Sequence, residues 1–521
     1  MTEEPQTSVT TWPVVRDWLQ IFGAARMALH PTKLALALAA LLLTFAWGAI
    51  LDGVWKVSGL GVDRMAIARF ADPESAAGAE LFAAAIRSAP PGGSVATGGE
   101  AAAEYGICEL WRQYSVSAVE GMLYGAGTLN FVGPWPGSVQ KSVGLLCLST
   151  RWMVSEHFFF AILLMLGTLA IWALFGGAIS RIAAVQFARD RKIGIGEAIR
   201  FAGDKFLSGF FISPLLPVLI MLAIALLLAI GGAFLAIPYF GDVFLSLPFF
   251  LALLGGLAIA CVSIGCVGGG SFFWPTVAVE GSDGFDAISR SFSYFFGRPV
   301  RTIVYGLTAL VWGGICWWVL KFVLCLTLRI THACVSCGVG GFCTGWWGVR
   351  EGAGEGLTKL DALWQDPMMS DLYRMGERSQ MGGFDIFATV VIGIWVLLAI
   401  GLLWAFLASF YFSGSTIIYF LLRREVDATD FEDVYEENEE PYEQEAPPVA
   451  VSSDAPPPAA PLGDAPPPVT LLSDAPPPVE EQDAASPVDA PPEDAPPEDA
   501  PPADASPPES APPTEEPDDN K

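Results

Sequence analysis

The sequence predicts an all-α polytopic membrane protein: six transmembrane helices arranged as three helical hairpins with amphipathic joints, plus a disordered tail. Three observations predict it. Several windows of more than about eighteen residues hold hardly a charge, which is what a bilayer crossing demands. One junction recurs at Gly176–Ile199, Gly269–Ile288 and Ser413–Val434. Each copy runs from a small-residue pair through an apolar or aromatic exit to a charged turn, then an acidic residue that opens a helix. Finally, composition changes abruptly near Leu422, from Leu, Ala, Gly, Phe and Trp to acidic and Pro-rich.

Charge follows the same break. From Arg423 onward there are 28 acidic and 3 basic residues, a net of −25, so the whole-chain charge of −27 leaves −2 for everything before it. The acidic character therefore belongs to the tail, and no nucleic-acid partner is expected.

Residues 1–32 form an N-terminal segment in which Val15, Trp18, Leu19 and Phe22 share one face of a helix over Trp12–Leu29. That pattern suits a helix lying in the headgroup region or one packed on the bundle, equally. His30-Pro31 ends it. The first span occupies residues 33–55, from about Leu34. It lacks a cleavage site, and acidic Glu3 and Glu4 precede it, so it reads as a retained helix rather than a signal peptide.

Residues 56–156 form a long extracytoplasmic loop region. A helix is predicted over Asp72–Arg87, with Asp72 as N-cap and Pro73 as first helical residue. A linker at Pro90–Gly93 and an aromatic-rich second half follow. Residues 157–301 hold spans two to four with their cytoplasmic joints: His157 to about Ile179, Ser208 to Ile237 and Phe244 to Phe273. A tight turn at Tyr239–Asp242 separates the last two. Gly255-Gly256, Gly265 and Gly268–Gly270 suit close approach of helices through small residues. Span five (302–328), a Cys-containing loop (329–383) and span six (384–422) complete the bundle.

Basic residues orient it. Arg16, Arg26 and Lys33, six at the first joint from Arg181 to Lys205, then Arg290, Arg298 and Arg301, and finally Arg423 and Arg424 all fall on one side. The one short turn opposite carries none. The positive-inside rule then places both termini in the cytoplasm of a bacterial inner membrane. The tail, residues 423–521, repeats DAPPP at Asp454, Asp464 and Asp474, a composition that predicts a hydrated, polyproline-II-like chain. It is either a spacer or bait for a cytoplasmic protein partner.

Chemistry-bearing residues are few. His332, Cys334, Cys337 and Cys343 match a zinc set in type and spacing. The oxidising outer side favours disulfides instead, drawn from Cys108, Cys147, Cys325, Cys334, Cys337 and Cys343, with the pairing open. No metal or cofactor is expected. Mid-bilayer windows contain no Asp, Glu, His or Arg; Lys321 stands toward the outer end of span five and can snorkel. No phosphate loop, nucleophile elbow or HExxH is present, so the chain reads as no enzyme.

Pro275–Gly281, followed by Asp286-Ala287-Ile288-Ser289-Arg290-Ser291, resembles the joint in the membrane domain of glycerophosphodiester phosphodiesterases. Trp172–Arg181 is similar to the matching joint in uncharacterised six-span bacterial membrane proteins. The resemblance implies architecture over roughly residues 157–434 and no catalysis, since nothing here matches the catalytic barrel. The functional expectation is a scaffold in the lipid bilayer that recruits partners through its tail. The alternative is a permease or lipid-handling transporter whose path is lined by spans three and four.

Overall fold

The computed structural model describes residues 11–63, 65–71, 105–132, 138–235, 249–339, 359–375 and 382–435. The tail unit Tyr442–Lys521, the Asp72–Arg87 helix, the Pro90–Gly93 linker and the Tyr239–Asp242 turn lie outside that set, as does Cys343. Among the described residues the fold is helical, with only isolated β-bridges.

The helices are α1 (Thr11–Ala28), α2 (Pro31–Val57), α3 (Ala66–Phe70), α4 (Ile107–Gly127), α5 (Val139–Glu156), α6 (Phe158–Arg189) and α7 (Ile195–Asp204). They continue with α8 (Ile212–Leu235), α9 (Phe249–Gly269), α10 (Phe273–Glu280), α11 (Gly284–Gly297), α12 (Pro299–Cys337), α13 (Lys359–Leu363) and α14 (Gly383–Asp427). A π-helical turn, Phe206–Phe211, leads into α8, and a 3-10 turn joins α9 to α10. Among the described residues six stretches are long and apolar enough to cross a membrane: α2, α6, the turn with α8, α9 through α10, α12 and α14. The chain is a multi-pass membrane protein.

Three helices run toward what we term the joint face, and each ends in a residue with left-handed backbone. Asp190 follows α6 (φ 49°), Gly281 follows α10 (φ 63°) and Ala428 follows α14 (φ 55°). A left-handed residue at a helix end frees the chain to reverse and satisfies the last carbonyls. After α6 the chain enters the amphipathic α7, and after α10 the amphipathic α11, where Asp283 accepts from the Asp286 backbone N–H at 3.0 Å. After α14 the expected third helix does not form among the described residues; the chain runs on without helix from Ala428 to Tyr435.

The helix that packs on α14 in its place comes from the other end of the chain. The α1 residues Ile21, Ala24 and Ala28 are buried against the same core as α14, and Ser409 Oγ donates to the Ala28 carbonyl at 2.8 Å. Pro31 then opens α2, as Pro299 opens α12, each at a first helical position where a missing N–H costs nothing. The three repeats are therefore α6–α7–α8, α9/α10–α11–α12 and α14 with α1–α2. The α1 helix packs on the bundle by one side, while Trp18, Leu19 and Phe22 on the other are exposed.

The densest core is not at mid-membrane. Residues 176–185 of α6, 275–279 of α10 and 412–423 of α14 are buried on every side. The first two reach past the predicted ends of spans two and four, while the third coincides with the predicted end of span six. The α6 helix runs on to Arg189 and α12 to Cys337, past the predicted ends at Ile179 and residue 328, and α14 ends at Asp427, close to the predicted 422. By contrast α8 and α9 bury little beyond their mutual contact, where Gly255 faces Leu228 and Ile224. Gly265, Gly268 and Gly269 receive Phe292, Phe295 and the Ser291 backbone of α11, the close approach expected of them. The opposite, loop face holds separate clusters around Tyr114, Trp152 and Phe160, and around Leu328 and Trp364.

Candidate functional site

The three repeats meet at the joint face, and their charges converge there. Glu280, the last residue of α10, is almost fully buried. Its Oε1 accepts from the Tyr419 hydroxyl at 2.5 Å and lies 3.4 Å from the Arg423 Nε, both on α14. Its Oε2 lies 2.9 Å from the Arg290 Nε on α11. Arg290 also meets Asp286 one turn earlier on its own helix, at 3.1 Å. One carboxylate is thus shared by two guanidinium groups and a phenol from two other helices. A buried charge is tolerable only when paired in this way.

The network extends sideways. Tyr294 of α11 donates to the Asp427 carboxylate, and burial together with that carboxylate pushes its phenol above the usual tyrosine range. On α12, Tyr305 donates to Glu425 Oε1 at 2.7 Å and Arg301 pairs with Glu425 Oε2 at 2.5 Å.

Across this layer lies a short strap, Asp430–Tyr435, which begins with a turn at 431–432. The Tyr435 N–H donates to the Val279 carbonyl at 2.8 Å, and Val434 is buried. Arg181 donates to the Ala278 carbonyl at 2.8 Å and to the Tyr435 carbonyl at 2.6 Å while covering the Phe201 ring at 4.3 Å. Arg189 reaches the Val434 carbonyl at 3.2 Å. Arg423 donates to both the Asp433 carbonyl and its carboxylate at 2.7 Å. The planar, multi-donor guanidinium suits gripping a backbone, and each charge-assisted bond contributes roughly 1.5–3 kcal/mol. The Tyr435 ring closes over Gly281, where any Cβ would collide with it.

The Glu280-Gly281 and Asp286–Ser291 motifs now have a physical basis. Glu280 and Arg290 are ion partners, Gly281 supplies the positive φ beneath Tyr435, and the buried Ser291 hydroxyl lies 3.2 Å from that of Thr276. The sequence reading missed Tyr419, Tyr294 and the strap, because each acts through a partner more than a hundred residues away.

The five described members of the predicted cysteine set do not share one site. Cys108 is buried on α4 beneath Gly48, Cys147 is exposed on α5, and Cys325 is buried on α12. Cys334 and Cys337 ride the last turns of α12, exposed, rather than a loop. All five are free thiols. Among the described residues no group of His, Cys, Asp and Glu is placed to hold a metal. His332 is instead buried, its Nε2 at 3.0 Å from the Trp364 carbonyl and 3.2 Å from Asp361.

Lys321 does not snorkel. It is buried on α12, over the Trp317 ring, and pairs with Glu120 of α4 at 3.0 Å. Asp52, at the loop-face end of α2, accepts from the backbone N–H groups of Cys108 and Glu109 at 2.8 and 2.9 Å and so caps α4.

Fold and site together define a multi-pass α-helical membrane protein whose joints form one ion-paired layer. No family model, no curated protein and no solved structure matches the chain.

Proposed function

We propose that the protein is a non-enzymatic scaffold of the bacterial cytoplasmic membrane, with both termini in the cytoplasm. The joint layer is its rigid platform, and the acidic Pro-rich tail recruits a soluble protein with a basic or aromatic-lined surface. The strap carries this reading: three arginines from two helices hold the backbone of residues 433–435, inside the predicted tail and a few residues ahead of the unit Tyr442–Lys521 in the chain. A chain meant only to be a solubility brush needs no such anchor. The basic residues of the joints support the cytoplasmic placement.

The test is a deletion of residues 442–521, with chemical crosslinking in native membranes and identification of co-purifying proteins. Loss of a discrete partner set supports recruitment; an identical set with and without the tail refutes it. Membrane-impermeant labelling of intact cells should leave the terminus untouched if the orientation is right.

A second reading, a permease or lipid-handling carrier, draws support from one observation. Lys321 and Glu120 bring charge into the bundle, and ionisable groups at membrane depth are costly unless they work. Any such route would follow α4 and α12. The glycines of α8 and α9 pack against side chains or stand exposed on a peripheral hairpin.

A further inference from the structure

The stretch between α2 and α6 reads by sequence as an extramembrane loop, yet its two long helices lie alongside membrane spans. Asp52 caps the start of α4 at the loop-face end of α2. From there α4 descends along α2: Cys108 lies under Gly48, and the Arg112 guanidinium sits 5.2 Å from the Phe45 ring. It descends along α12 as well. Glu120 pairs with Lys321, and seven residues later a Cβ on Gly127 would stand 3.3 Å from the Gly314 carbonyl carbon. The two helices are thus antiparallel in constant register.

Depth follows from helix rise. Arg329, two turns before α12 ends at Cys337, forms an exposed ion pair with Asp366 and so marks a water-exposed level on the loop face. At 1.5 Å per residue, Lys321 lies about 12 Å and Gly314 about 22 Å below it. A hydrocarbon layer of about 30 Å places both within the membrane. Beyond α4 the turn exposes Leu129 and Val132, side chains suited to an apolar medium. Then α5 climbs back, with the Trp111 indole N–H 3.5 Å from Thr150 Oγ1, to reach α6 at the loop face.

We propose that α4 and α5 form a re-entrant hairpin inserted into the bilayer from the loop face, held there by the Glu120–Lys321 ion pair. Non-spanning chain is tolerated at this depth because it is helical and packed against protein. The pair satisfies two charges that hydrocarbon would otherwise expel. The hairpin's partner is the acyl-chain layer, which its outward Tyr124 and Val143 face.

The experiment uses the full chain in phosphatidylcholine–phosphatidylglycerol vesicles, with a fluorescent non-natural amino acid at Tyr124 or, for comparison, at Ser58. Quenching by acyl-chain nitroxide lipids and by aqueous iodide is measured for each. The Tyr124 probe should be quenched by the lipid nitroxide and lose iodide quenching, and the Ser58 probe should do the reverse. Iodide quenching as strong at Tyr124 as at Ser58 would overturn re-entry. Glu120→Gln and Lys321→Met, each alone, should shift the Tyr124 probe toward iodide or unfold the protein, and the double variant should restore the original pattern. Unchanged quenching in both single variants, or a double variant no better than either, would overturn the role given to the pair.

Discussion

Compare the joint-face half of α14 with the α8–α9 hairpin. Both are long and apolar in sequence, the hairpin helices without a charge and this half of α14 without one until Arg423, yet α14 is buried without interruption from Phe412 to Arg423, while α8 and α9 leave most of their leucines exposed. In water the second arrangement would be an aggregation surface. In lipid it costs nothing, because acyl chains are as apolar as leucine. Apolar sequence therefore serves two solvents, protein interior and hydrocarbon. What separates them is the charged layer that α14 enters and the hairpin does not.

That difference sets an order of sensitivity. The largest effect should come from Glu280→Leu, which leaves Arg423 without its α10 partner in a buried site. Removing one member of a buried pair typically costs about 3–5 kcal/mol. Thermal unfolding in detergent should show a large drop, and the change should also loosen the strap, because Arg423 holds both Glu280 and Asp433. A loss below roughly 1 kcal/mol, the scale of a surface pair, would mean the layer is solvated and the comparison wrong.

Gly281→Ala ranks next. At φ 63° an L-residue pays about 1–2 kcal/mol of backbone strain, and its methyl would meet the Tyr435 ring. Pairing it with Tyr435→Ala sharpens the assignment. The steric part should vanish in the double variant and the backbone part should persist, a separation a double-mutant cycle reads directly.

Tyr294 offers a pH handle on the same layer. Its phenol titrates above the usual range because it is buried and donates to Asp427. A raised folded pKa means the contribution is fully present below the unfolded value of about 10 and is lost as pH rises through the folded value. Thermal stability followed from neutral pH upward should therefore fall in the alkaline range, and Tyr294→Phe should flatten that part of the fall. An unaltered alkaline slope in the variant would assign the loss to other groups.

Much of this architecture was legible, and the reasons are local. The spans needed only sustained apolarity, which survives without knowledge of register, and His30-Pro31 marked the end of the first helix by its own backbone chemistry. What could not be read depended on partners distant in the chain. Phe412–Leu422 looks like the end of a span because burial in protein and burial in lipid select the same residues. Glu120 sat in a segment with no membrane signature, and its meaning came only from Lys321, 201 residues away. The strap offers just Phe431, Val434 and Tyr435 as apolar residues; the arginines grip its backbone carbonyls, which carry no sequence signal. The missing third amphipathic helix was present as α1, at the opposite terminus, where no search for a downstream helix would find it.

The smallest expected effect tests the lipid side of the comparison. Gly256 on α9 has open space around the position a Cβ would take, and its helix neighbours Leu253 and Leu257 are exposed. Gly256→Leu should therefore change thermal stability by no more than about 0.5 kcal/mol, the range of a surface substitution. The higher helix propensity of leucine could even make the change slightly stabilising. The matched control is Gly268→Leu on the same helix, where the new side chain would drive into the Phe295 ring and overpacking costs about 1–3 kcal/mol. If Gly256→Leu proved as damaging as Gly268→Leu, the α9 face would be covered by protein rather than lipid. The peripheral hairpin would then be an interface in the assembled membrane, and its exposed glycine a contact of the kind that Gly268 makes within the chain.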